Sequence, residues 1–154
     1  MTARPFARRS LTLGERALAD EVFGAALDAS AIRIFAAPVL RRAFVAGAQL
    51  IVWPAASLPA DFACAPVELQ ALLVHELTHV WQAQRGVRLL AAKLRAGDSA
   101  AAYAYDLAAG PGFAELNIEQ QAMVVQHAFL ASRGRATPFS AGLYAAAAPQ
   151  WRSV

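Results

Sequence analysis

The sequence predicts an α+β fold: a small, mostly antiparallel sheet followed by two long helices. Three observations predict it. Residues Ile32–Phe35 and Ala43–Trp53 are rich in β-formers, and the second stretch is broken by Ala46-Gly47-Ala48. A strong helical pattern then runs from about Pro66 to Arg85 and holds His75-Glu76-Leu77-Thr78-His79 in its middle. A second such pattern runs from about Phe113 to Ser132 and stops at Gly134.

The elements follow in order. Residues 1–10 read as a basic, flexible arm, carrying Arg4, Arg8 and Arg9. Thr12 and Glu15 have the spacing of a capping box. Leu13, Ala17, Leu18, Val22 and Phe23 then recur at helical spacing, so a first helix is expected from about Leu13 to Leu27. Ile32-Arg33-Ile34-Phe35 reads as a strand, and Pro38 interrupts. Ala43-Phe44-Val45 and Gln49-Leu50-Ile51-Val52-Trp53 flank the glycine turn as a hairpin. Residues 54–65 form a loop with proline and alanine.

Pro66 suits a helix start, because its missing N–H would be unpaired there in any case, and Glu68 favours the positive end of the helix dipole. Leu69, Leu73, Leu77, Val80 and Trp81 mark a buried stripe, while Leu72, His75, His79 and Gln82 follow another. One face can therefore pack while the other carries chemistry. Gly86 is placed as a left-handed stop. Val87–Ala96 reads as a short helix, Tyr103–Leu107 as extended chain and Gly110-Pro111-Gly112 as a turn. Residues 135–154 form a C-terminal tail with little pattern. The 154 residues fit one domain, here 11–134, with an arm before it and the tail behind.

Composition excludes more than it assigns. There are 14 basic and 11 acidic side chains, and no basic stripe interleaved with aromatics, so nucleic-acid binding is not expected. Cys64 is the sole cysteine, which rules out an intrachain disulfide, and it is expected to be buried and inert. The N-terminus lacks the apolar run of a signal peptide. The longest stretch without formal charge, Ala43–Ala60, is broken by Gly47, Pro54 and Pro59 and does not read as a membrane span. A cytoplasmic start is expected, with signal-independent export left open.

The chemistry lies in H-E-x-x-H. Residues four apart on a helix are rotated by only about 40°, so His75 and His79 can converge on one metal ion. Glu76 lies about 100° further round, near a water on that ion but offset from ligation. A catalytic zinc site uses three protein ligands and a water. A carboxylate beside that water can take its proton and pass it to a leaving amine. The third ligand must come from elsewhere, because a histidine six residues after His79 is absent: Arg85 stands there. Glu119, in Asn117-Ile118-Glu119-Gln120-Gln121-Ala122, is the first candidate, since Ala122 permits close helix packing. Glu115, one turn earlier, and His127, two turns later, are its rivals.

His75-Glu76-Leu77-Thr78-His79-Val80-Trp81-Gln82 followed by Glu119-Gln120-Gln121-Ala122 resembles the gluzincin group of zinc metallopeptidases. More closely, it is similar to a family of small bacterial zincin-like domains, some related to the valine-glycine-repeat spike of type VI secretion. The resemblance spans about Leu11 to Arg133. It implies a zincin-like fold, Zn²⁺ on His75, His79 and Glu119, Glu76 as catalytic base, and a peptide or protein substrate. It suggests a sheet edge that holds an extended peptide, and Tyr103 or Tyr105 as donor to the developing oxyanion. One departure is Met123, where many gluzincins carry an acidic residue that orients a histidine ligand; Asn117, Gln82 or a backbone carbonyl could replace it. Two functions are therefore expected to compete. The first is a zinc peptidase. The second is a non-catalytic zinc module or cargo with a partner in a bacterial secretion apparatus.

Overall fold

The computed structural model describes residues 4–154, so the first three residues of the expected arm lie outside the described residues. The rest of that arm is not loose. Arg8–Ser10 form strand β1, which pairs antiparallel with β2 (Arg33–Ala37). Glu15 explains the order. It is fully buried, and its two oxygens each meet the Arg9 guanidinium at 2.7 Å. Those oxygens also accept from the backbone N–H of Thr12 and of Phe62. The expected capping box thus forms at the start of α1 (Leu13–Phe23) and clamps the N-terminal strand to the loop before the motif helix. α1 ends earlier than its periodicity implies, passing into a 3-10 turn over Gly24–Ala26.

The sheet has four strands in the order β1-β2-β4-β3, with β3 at Phe44–Ala46 and β4 at Leu50–Pro54. β3 and β4 form the expected hairpin around Gly47, whose φ is +67°. The central pairing, β2 with β4, is parallel, so the sheet is mixed. Strand burial explains this. Ile51, Val52, Trp53 and Pro54 of β4 are buried in succession, which suits a central strand covered on both faces. β3 is largely exposed and takes the edge, opposite β1.

Helix α2 (Val67–Gln84) lies across the sheet. Leu73, Leu77, Val80 and Trp81 join Phe23, Ile34, Ile51 and Phe62 in one core. α2 ends at Gly86, whose φ of +91° allows Val87 N–H to bond back to the Gln82 carbonyl. α3 (Leu89–Ala96) and the short α4 (Ala100–Tyr103) follow. Tyr103 thus closes a helical turn rather than opening a strand, and Asp106 caps the next turn by accepting from Ala108 and Ala109.

The second long helix, α5 (Ile118–Ser132), begins five residues later than expected, after a 3-10 turn over Phe113–Glu115. Asn117 and Gln120 form a reciprocal cap there. α5 packs on α2, and Ala122 is fully buried in agreement with its small size. The tail is not featureless. α6 (Ala141–Ala147) and α7 (Pro149–Arg152) insert Tyr144 and Trp151 into the core. Cys64, expected to be buried, is exposed, because Phe62 takes the inward position of that 3-10 turn. Among the described residues no helix is long and apolar enough to cross a membrane.

Candidate metal centre

Helix geometry brings the two motif histidines together. His75 and His79 are one turn apart on α2, with ring centroids 4.9 Å apart and planes at 79°. Glu119, in the first turn of α5, reaches across the helix interface. Its Oε2 stands 3.4 Å from Nε2 of His75 and 3.4 Å from Nε2 of His79. One ligand atom from each residue lies within 4.8 Å of the other two.

Each imidazole is oriented from behind. His79 Nδ1 donates to the Gln82 side-chain oxygen at 2.8 Å, and His75 Nδ1 donates to the Gln126 side-chain oxygen at 3.0 Å. A proton held on Nδ1 leaves the Nε2 lone pair free and directed at Glu119. Gln82 is itself fixed, donating to the Ile118 carbonyl and to the Gln121 side-chain oxygen, both at 2.9 Å. Gln121 in turn donates to the Phe113 carbonyl. Gln82 thus fills the orienting role that Met123 cannot, and Met123 lines the cleft.

The donor set fits a metal ion. Ligand atoms about 2.1 Å from a tetrahedral ion stand about 3.4 Å apart, which matches both histidine–glutamate separations. Glu76 Oε2 is buried without a hydrogen-bond partner, an arrangement that is costly unless a cation or a water completes it, while Glu119 Oε1 makes no hydrogen bond and has the Lys93 ammonium at 3.5 Å. Two imidazoles, which are borderline donors, and one harder carboxylate make a set that zinc takes.

Electrostatics follow from the same crowding. Burial raises the Glu76 carboxyl above its ordinary range against the pull of His79 and His75. Burial also disfavours charge on Glu119, but the adjoining His75 and His79 rings and the nearby Lys93 outweigh it and hold that carboxyl well below the usual range. Burial works against a proton on His79 as well, yet Glu119 and Glu76 overcome it and raise the imidazole.

The other candidates fall in different places. Glu115 caps the 3-10 turn through Gly112 N–H and is exposed. His127 bonds to Tyr105, whose hydroxyl also meets that of Tyr144 at 2.6 Å. Tyr105 therefore belongs to an aromatic cluster with Phe139 and the C-terminal helices, and it is not among the cleft-lining residues. Tyr103 does line the cleft, with its hydroxyl 3.4 Å from Asp98. Sequence reading missed Gln126 and Lys93. Gln126 falls two turns beyond Glu119 on α5, a spacing that could have exposed it. Lys93, on α3, stands 3.5 Å from Glu119 Oε1.

The cleft over this centre has a volume of about 1470 Å³. Its walls are β3 with its approach, α3 and the exposed side of α2.

The fold and sequence can be set beside known proteins. The chain is similar to the solved effector domain of Pseudomonas aeruginosa VgrG2b, with a TM-score of 0.71 and 30% identity, over 95% of this chain and 84% of that domain. The chain belongs to the family of that effector domain. Among curated proteins it is 35% identical, over 136 residues and 80% of its length, to the type VI secretion system spike protein VgrG2b of the same species. It spans 13% of the length of that spike protein. No family model matches the chain. The expected link to the type VI spike thus rests on kinship with VgrG2b, whereas kinship with gluzincins has no support from these comparisons.

Proposed function

We propose that this chain is a metal-dependent peptide hydrolase, zincin-like in fold, deployed as an effector domain by a type VI secretion apparatus. One observation carries the catalytic part: Glu76, with a buried and unpartnered carboxylate oxygen, lies beside three converging donors on His75, His79 and Glu119. Kinship with VgrG2b carries the secretion part.

His75, His79 and Glu119 would hold the ion, and we assign zinc to it from the donor set. Bound zinc would supply Lewis acidity toward a peptide carbonyl and an easily deprotonated water. The chain's own residues do the rest. Gln82 and Gln126 fix the imidazole planes, so the donors need little rearrangement. Glu76 takes a proton from the attacking water and returns it to the leaving amine. Tyr103, on the cleft wall, donates to the developing oxyanion.

A second reading keeps the metal but not the turnover: a zinc-bearing module that serves a secretion apparatus without catalysis. The similarity to part of a spike protein favours it. One experiment separates the two. Zinc-loaded protein and its Glu76→Gln variant are assayed on a quenched-fluorescence peptide library, with zinc measured in both. The catalytic reading expects cleavage by the parent and a loss on the order of a hundredfold or more in a variant that still holds zinc. Equal rates in both would reject Glu76 as base. No cleavage by either, with zinc bound and a secretion component captured, would favour the module.

A further inference from the structure

The walls of the cleft carry two unlike chemistries. On one side Leu72, Leu90 and Leu94 project apolar side chains into solvent; Leu90 and Leu94 are each 77% exposed. Two leucines so exposed on one short helix, facing a cavity, mark a surface that awaits a partner. Arg41, Arg42, Arg88 and Lys93 also line the cleft. Among the described residues, Arg41, Arg42 and Arg88 pair with no carboxylate. Lys93 meets only Glu119. The cleft holds three acids, Glu76, Glu119 and Asp98. The first two belong to the metal centre, which leaves Asp98 alone against four cations. Arg42 and Lys93 line the same cleft as Tyr103.

We propose that the cleft selects peptides in which apolar residues lie against Leu72, Leu90 and Leu94 and a carboxylate is received by the unpaired cations of the same cleft, Arg42 among them. This rests on the peptide-hydrolase reading and deepens it by naming the substrate class. The carboxylate has two sources, an aspartate or glutamate side chain or the peptide's own C-terminus. Both offer the same charge and acceptor geometry to a guanidinium. Charge complementarity argues for this occupant over a neutral peptide: a neutral chain would leave the cations solvated by water alone. Arg42 makes no hydrogen bond or ion pair to His75, His79 or Glu119.

The test uses binding, so it does not depend on turnover. Zinc-loaded Glu76→Gln protein is titrated into fluorescent octapeptides with a Leu-Leu core. Each flanking position carries Glu, Gln or Lys in turn, and each peptide is made both as the free acid and as the C-terminal amide. The expected result is roughly threefold to tenfold tighter binding of one Glu peptide than of its Gln counterpart, weakened by added salt. Arg42→Glu should abolish that preference and favour the Lys peptide. If the free acid of the Gln series binds best and its amide does not, the carboxylate is the C-terminal one. Equal affinity for Glu, Gln and Lys peptides, with no difference between free acid and amide, would overturn the proposal, as would no binding to any of them. Sedimentation with phosphatidylglycerol vesicles in preference to every peptide would also overturn it. Selective binding of acidic peptides by a parent protein that cleaves none of them would leave the proposal standing and remove the catalytic reading. Cleavage of Glu and Gln peptides at the same rate, as free acids and amides alike, would do the reverse.

Discussion

Gln82 gives the sharpest test of how the centre is built. Its side chain is 1% exposed and makes three hydrogen bonds: one accepted from His79 and two donated, to the Ile118 carbonyl and to Gln121. Gln82→Leu keeps the apolar bulk and removes all three. Each bond contributes about 1 kcal/mol, so a loss of about 3 kcal/mol is expected. In a chain of this length that lowers Tm by roughly 6–12 °C. The His79 ring also loses its anchor, and metal affinity should fall about 10- to 100-fold, the range seen when a partner behind a histidine ligand is removed. Gln82→Glu divides the effects. The carboxylate still accepts from His79 but can no longer donate to Ile118 or Gln121, so stability falls while most metal affinity remains. Thermal melts with and without metal, and competition against a calibrated chelator, read the two quantities apart. Unchanged affinity in Gln82→Leu would refute the claim that this glutamine orients the ligand.

Three further predictions follow from other parts of the molecule. Glu15→Ala removes a buried carboxylate that holds Arg9 and two backbone N–H groups, and should cost about 3–5 kcal/mol, measured by urea unfolding. Tyr105→Phe should leave peptide turnover within about a factor of two while Tyr103→Phe lowers it, since only Tyr103 lines the cleft; steady-state kinetics decide. Metal should stabilise the protein more as pH rises. His79 is raised, so the stability its proton contributes is present below the ordinary imidazole range and is lost as pH rises through its folded value. Glu119 is lowered, so its contribution is present above the ordinary carboxylate range and is lost as pH falls through its folded value. A metal competes with the His79 proton, so the rise in Tm on adding zinc should grow from about pH 5.5 to pH 8. A constant rise across that range would contradict the competition.

The metal centre was legible where helix geometry alone decides it. A four-residue spacing fixes His75 and His79 on one face whatever the rest of the fold does. Glu119 was legible as a candidate because Ala122 allows α5 to approach α2, but spacing could not choose it over Glu115 and His127. That choice depends on where α5 begins, and the cap at Asn117 sets it. Gln126 escaped notice because a neutral amide reads in sequence as ordinary solvated surface. β1 escaped because its arginines look like a solvated arm until Glu15 is seen to bury itself against Arg9. The parallel pairing of β2 with β4 is a consequence of which strand is most apolar, a comparison between strands rather than a property of either one. α6 and α7 are alanine-rich and show no clear period, yet Tyr144 and Trp151 anchor them in the core.

Elemental analysis of protein purified without added metal goes most directly to the core of this account. Close to one zinc per chain is expected, lost in Glu119→Ala and in His79→Ala but retained in Glu115→Ala. Protein that carries no divalent metal and takes up none when zinc is supplied, or a Glu119→Ala variant that keeps its full complement, would contradict it.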